Sequence, residues 1–259
     1  MKIFKRNNKI LVFTFFILLL NVACEKETEY EVLSGQLIGY VTLYDSDRTK
    51  LSDSGGVEVI VEGSNPQIKA STDEDGQFKI DNLKSGIYNI VFNKEGYCQH
   101  KIISYQFVGG NKPSTIYQTA LYSQSNFQID SLKITDLERQ YTVEFMVNAK
   151  ISNQKENLSS YCRYYLSNEP DISYKKYIST DIAYRFSGDE DISFYIRIDT
   201  LKFPIGSELY LIMYPTSETY QNYTDINTGN KIYTSINSNK PSEVATITIP
   251  EVEAPWWLD

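Results

Sequence analysis

Histidine is almost missing from this chain: His100 is the single one among 259 residues. Ser-His-Asp and Cys-His mechanisms need an imidazole held beside the nucleophile, which leaves one such pair open here, His100 with Cys98. A spacing of two puts both on one face of a strand, but no glycine-rich nucleophile elbow or oxyanion signature goes with them. The expected state is a partly exposed imidazole and a small buried thiol. Cysteine is scarce too, at three residues, Cys24, Cys98 and Cys162. No Cys-x-x-Cys or comparable spacing occurs, so no metal site is expected. In an oxidising compartment Cys98 and Cys162 could pair; two separate buried thiols are the equal alternative. Phosphate loops and dinucleotide fingerprints are also lacking, and no cofactor is expected. Gly109-Gly110 reads as a loop between strands rather than a ligand cradle.

Sustained helical periodicity is absent as well. In its place stand many short segments with period-two alternation, rich in Val, Ile, Tyr, Phe and Thr and separated by Gly, Asn, Asp and Pro. That is the pattern of an all-β protein, and the 21 tyrosines suit it. Strands are expected at 37–43, around Val57, Val59 and Val61, and at 127–135, 141–151, 161–166, 192–198, 209–214 and 244–249. A polar joint, Tyr-Ser-Gln-Ser-Asn-Phe at 122–127, divides two expected β-sandwiches, 33–122 and 126–250. A tail at 251–259 carries Trp256-Trp257, which either folds back or docks a partner.

The longest apolar run is short. Residues 1–9 carry Lys2, Lys5, Arg6 and Lys9 and no acid, and residues 10–20 are apolar except Thr14. Eleven helical residues reach about 16 Å, where a bilayer core needs roughly 30 Å. A basic start, a short apolar middle and a small-residue end read as a secretory signal over 1–23. Asn21-Val22-Ala23-Cys24 resembles the lipobox of bacterial lipoproteins, departing from it at Asn21, where Leu is commonest. The resemblance implies acylation of Cys24 and a lipid-anchored place in the outer membrane of a Gram-negative bacterium. The acidic stretch at 24–32 (Glu25, Glu27, Glu29, Glu31) reads as a flexible tether. It also resembles the export signal of surface lipoproteins in bacteria with glycan-uptake systems. Losing four positive charges with the leader takes the formal charge from −8 to −12, which argues against nucleic acid as a partner.

Within the first unit, Asp75-Gly76 is a strong hairpin-turn signal, followed by apolar Phe78, Ile80 and Leu83. Gly86 permits a second turn, after which Tyr88, Ile90 and Phe92 alternate. Phe78 and Tyr88 are expected to be buried on adjacent strands. Thr72, Asp73, Gly76, Phe78, Ile80, Leu83, Gly86, Tyr88, Ile90 and Gly96-Tyr97 together resemble the carboxypeptidase regulatory-like domain, a transthyretin-like sandwich. In that family it is an accessory module without catalytic residues. The second unit, with six or seven strands, fits an immunoglobulin-like sandwich. Its stretch 201–212 resembles the E–F corner of fibronectin type III domains, with Val143, Phe145 and Val147 as core residues.

Two acidic clusters, Asp73-Glu74-Asp75 and Asp189-Glu190-Asp191, offer carboxylates for glycoside hydrolysis or calcium. Both lie beside a glycine in turn contexts, neither forms an EF-hand loop, and solvated turns are expected. Thirteen tyrosines fall between Tyr141 and Tyr233. Adjacent Tyr164-Tyr165 places one ring on each face of a strand, so Tyr164, Tyr165, Tyr174 and Tyr220 are the candidate ligand-binding residues. Rigid amphipathic rings suit sugar faces and protein contacts. The functional expectation is a non-enzymatic surface binding or adaptor module for a glycan, a protein ligand or an uptake-complex partner. The alternative is a small surface hydrolase of glycans or peptides.

Overall fold

The computed structural model describes residues 33–153, 159–186 and 189–252. Cys24, the acidic stretch 24–32, Gly188 and Trp256-Trp257 lie outside them. The protein is all-β, with sixteen strands and no helix among the described residues.

The first four of these strands are β1 (Ser34–Tyr44), β2 (Glu58–Glu62), β3 (Ile68–Ser71) and β4 (Gln77–Lys84). β5 (Gly86–Asn93), β6 (His100–Phe107) and β7 (Gly110–Tyr122) follow. They form two sheets, β4-β1-β7 and β3-β2-β5-β6, with β1 antiparallel to β4 and parallel to β7. Alternation supplies the core: Leu37, Val41 and Leu43 from β1, Val59 and Val61 from β2, and Ile90 and Phe92 from β5 all point between the sheets. In β4 the alternation Phe78, Ile80 slips by one to Leu83. Two residue steps on β1 oppose three on β4 there, and Asn82 takes φ 56°, so a bulge restores Leu83 to the core face.

The Asp75-Gly76 turn forms, with the Gly76 N–H donating to Asp73 O at 2.9 Å, but it is not a hairpin. β3 and β4 belong to opposite sheets, and the chain leaving the turn pairs with β1. Gly76 has φ 82°, a side chain there would sit 2.0 Å from Val41 O, and Gly76 O accepts the Val41 N–H at 2.8 Å. The turn therefore docks on β1 instead of returning to β3. For the same reason Phe78 and Tyr88 are not on adjacent strands. Phe78 is 1% exposed, whereas Tyr88, in the opposite sheet, is half-buried and donates its hydroxyl to Lys84 O at 2.9 Å.

A second pair of sheets follows. One joins β8 (Gln128–Asp136), β9 (Glu144–Ser152) and β12 (Asp191–Arg197) in the order β12-β9-β8. The other joins β10 (Ser160–Ser167), β11 (Ser179–Arg185), β13 (Glu208–Thr216) and β16 (Ala245–Thr248) in the order β11-β10-β13-β16. Val143, Phe145, Val147, Cys162, Phe203, Leu209 and Leu211 are among the residues buried between them. A short hairpin, β14 (Asn222–Thr224) and β15 (Lys231–Tyr233), lies apart from both sheets. A separate cluster of Tyr165, Ile172, Ile212, Tyr214 and Ile236 covers the outer face of β10 and β13, so that sheet is buried on both sides. Cys98 and Cys162 are two separate buried thiols.

Candidate functional site: a tyrosine-lined cleft

The tyrosine cluster is built by local turns. The loop 168–178 between β10 and β11 is pinned by Lys176, whose ammonium meets Glu169 at 2.7 Å and Asp171 at 2.6 Å. This holds Tyr174 edge-on to Tyr214 at 5.8 Å and Tyr177 edge-on to Tyr165 at 4.9 Å, the arrangement aromatic quadrupoles favour. Tyr177 also donates to Lys231 O at 2.7 Å, tying the loop to β15. The buried Arg163 guanidinium sits 3.4 Å from the Tyr233 ring centre and donates to Thr219 O at 2.7 Å. These contacts fix the β14–β15 hairpin against β10.

The hairpin's other side faces the first pair of sheets. Gln221 donates to Ala120 O at 2.7 Å, Asn237 to Ser125 O at 2.9 Å, and the Cys98 thiol approaches Ser235 O at 3.3 Å. Between these contacts lies an open cleft. Tyr97, Gln99 and Gln124 line it from one side and Tyr174, Tyr223 and Tyr233 from the other. All four tyrosines are half-buried, so each ring keeps surface for a ligand. Thr234 also lines the cleft, and its Oγ1 is buried with no hydrogen-bond partner, a polar group of the kind that a ligand or a water usually satisfies. Lys175 adds a cation 5.3 Å from the Tyr174 ring. Aromatic faces with a few converging amides and hydroxyls are the usual composition of a small-ligand site.

Cys98 and His100 do not form a nucleophile–base pair at the cleft. Burial pushes the Cys98 thiol up to about 11, only partly opposed by its contact with Ser217, so it stays protonated at neutral pH. Burial also lowers the His100 pKa, with Glu218 acting the other way. The imidazole packs on Phe92 at 5.9 Å, and its Nδ1 has no hydrogen-bond partner. Cys98 lies before β6, not on it, and its sulfur meets the Ser217 hydroxyl and Ser235 O. Among the described residues no three His, Cys, Asp or Glu side chains gather as metal ligands.

Two of the four expected binding tyrosines are corrected. Tyr164 and Tyr165 do point to opposite faces, but both faces are covered. Tyr164 is 8% exposed and stacks on Phe194 at 4.8 Å in the main core. Tyr165 is 0% exposed, inside the tyrosine cluster. Tyr220 is 82% exposed but is not part of the cleft lining. Tyr174 is the one that lines it. Tyr97, Tyr223 and Tyr233 were not foreseen as binding residues: Tyr97 belongs to the other half of the chain, and no spacing in the sequence announces that it lines one cleft with Tyr223 and Tyr233.

No family model matches the chain, and no curated protein matches it. Among solved structures it is similar to a type II cohesin–X–dockerin complex of Acetivibrio cellulolyticus, at 18% identity and TM-score 0.30, over 35% of this chain. The chain spans 58% of the length of that matched chain. It is also similar to a protein of Bacteroides uniformis provisionally described as carbohydrate-binding, at 9% identity and TM-score 0.31, covering 84% of this chain and 100% of the other. A DUF3823 family protein of Bacteroides ovatus matches at 13% identity and TM-score 0.32, over 83% and 98%. At TM-scores this low, no property of these proteins transfers to this one.

Proposed function

We propose that the protein is a non-enzymatic binding module that takes a glycan in the cleft between its two sandwiches, and that acylated Cys24 anchors it at the outer membrane. The observation that carries the binding half is the convergence of Tyr97, Tyr174, Tyr223 and Tyr233 on one cleft with Gln99 and Gln124. Rings offer flat apolar faces, the amides offer paired donors and acceptors, and a sugar presents both kinds of surface. The resemblance of 33–122 to the carboxypeptidase regulatory-like domain, an accessory module, agrees with a role in binding. The lipobox-like sequence at Cys24 supports the anchoring half.

The test is a glycan array probed with the soluble ectodomain, followed by calorimetry on the best ligand. Tyr174→Ala and Tyr223→Ala should each weaken binding about tenfold or more, the scale of a contact worth over 1 kcal/mol, while the protein still melts cooperatively. An array that stays blank, or affinities that ignore both substitutions, refutes the cleft as a glycan site.

A further inference from the structure

On a second groove at the same junction, lined by different residues, we infer a site for the carboxylate of an acidic saccharide, with Arg48 as its anchor. The groove is lined by Asp47, Arg48, Ser125, Asn126, Ser160 and Tyr161, among others. Arg48 is held in it three ways. Its backbone takes φ 62°, a left-handed conformation that is uncommon for a long side chain, stabilised where Asp45 O accepts its N–H at 3.0 Å. Asp45 Oδ1 also accepts the flanking N–H groups of Asp47 and Thr49 at 2.8 and 2.9 Å. Its Nε donates to Ser217 O at 3.1 Å, across from the other sandwich. Its guanidinium carbon lies 4.2 Å from the Tyr161 ring centre, a cation over an aromatic face.

This leaves the terminal nitrogens uncommitted. Among the described residues no carboxylate pairs with Arg48, and Nε is the one atom of its side chain with a hydrogen bond. A planar guanidinium with a fixed tilt and two free N–H edges matches a carboxylate bidentately. Backbone strain of this kind gathers at ligand sites, and a second left-handed residue, Asn153 with φ 60°, borders the same groove. The rest of the lining favours a sugar over a bare anion. Ser125, Asn126 and Ser160 offer hydroxyl and amide groups. A ligand with one carboxylate and several hydroxyls, a uronic-acid unit, matches the guanidinium and these groups together.

The inference is independent of the tyrosine cleft, and one titration series separates the two. Intact soluble ectodomain is titrated with digalacturonate, with its methyl ester, and with acetate. Binding of digalacturonate is expected to fall about tenfold or more on esterification and in Arg48→Gln, the worth of one charge-assisted hydrogen bond or more. Arg48→Lys, which keeps charge but loses the fork, should also weaken it. Tyr174→Ala should leave it unchanged. Equal affinity for the ester, or unchanged affinity in a folded Arg48→Gln protein, overturns the inference and leaves Arg48 as a clamp between the sandwiches. No binding of digalacturonate, or acetate binding as well, overturns the saccharide class. The ester comparison uses the wild-type protein and stands even if the variants fail to fold.

Discussion

Phe78 shows how one residue's environment is written by another's absence. Its ring fills the space over Gly39, where a side chain would come within 2.4 Å of it, and meets Phe92 edge-on at 5.7 Å across the core. Phe78→Ala should destabilise the protein by about 3–5 kcal/mol, because no neighbour can collapse into the vacated volume between two hydrogen-bonded sheets. Chemical denaturation with an unchanged midpoint would remove Phe78 from the core. Cys98 makes a different prediction, in pH. Its thiol is raised to about 11 by burial, so the folded state holds that proton more tightly than the unfolded chain. Stability from the buried thiol is complete below the unfolded cysteine range, near 8.5, and is lost as pH rises toward 11. The loss reaches about 3 kcal/mol at most. Melting temperature should therefore fall through this window, and Cys98→Ala should fall less; parallel curves for the two proteins would contradict the assignment.

At the scale of elements, the short hairpin β14–β15 decides whether the cleft exists. It is held less by its own three-residue strands than by Arg163, stacked on Tyr233, and by Tyr177. Arg163→Met keeps most of the packing volume but removes both the cation–ring contact and the bond to Thr219 O. Amides of 222–233 should then exchange faster by about tenfold or more, a loss of 1–2 kcal/mol in local opening, while those of β9 and β13 keep their protection. Uniform change across all strands would mean Arg163 supports the core and not the hairpin. Neither β14 nor β15 was legible in the sequence, because three polar-flanked residues carry no periodic signal. β11 was missed for a related reason: as an edge strand it sends only Ala183 and Arg185 inward. Alternation in β4 and β9 was legible because each buries one face. The Asp75-Gly76 turn was legible as a turn, but local chemistry does not say which strand the chain meets next. Tyr164-Tyr165 was read correctly as facing two ways, and incorrectly as exposed, since covering both faces of one sheet is a tertiary fact. The cleft was legible only in its excess of tyrosine: part of its lining, Tyr97 and Gln99 among it, comes from the other sandwich.

For the whole molecule, charge and anchoring belong to one argument. With residues 1–23 removed as proposed, the chain carries a formal charge of −12. An acidic body is repelled by anionic headgroups, the reverse of the attraction that basic clusters gain near such surfaces. Nothing electrostatic would hold this protein on a membrane, so association would rest on the acyl chains at Cys24 alone. Each buried methylene contributes about 0.8 kcal/mol, and a single chain binds only marginally, but two or more hold firmly. Cys24→Ser should therefore leave the protein unprocessed or soluble, and it should no longer incorporate labelled palmitate. The wild-type protein should stay membrane-bound through a high-salt wash, because salt screens charges and does not weaken burial of methylenes. Salt extraction of the wild-type chain, or palmitate still entering the Cys24→Ser protein, would refute the lipid anchor and leave the cleft to be explained in a secreted protein.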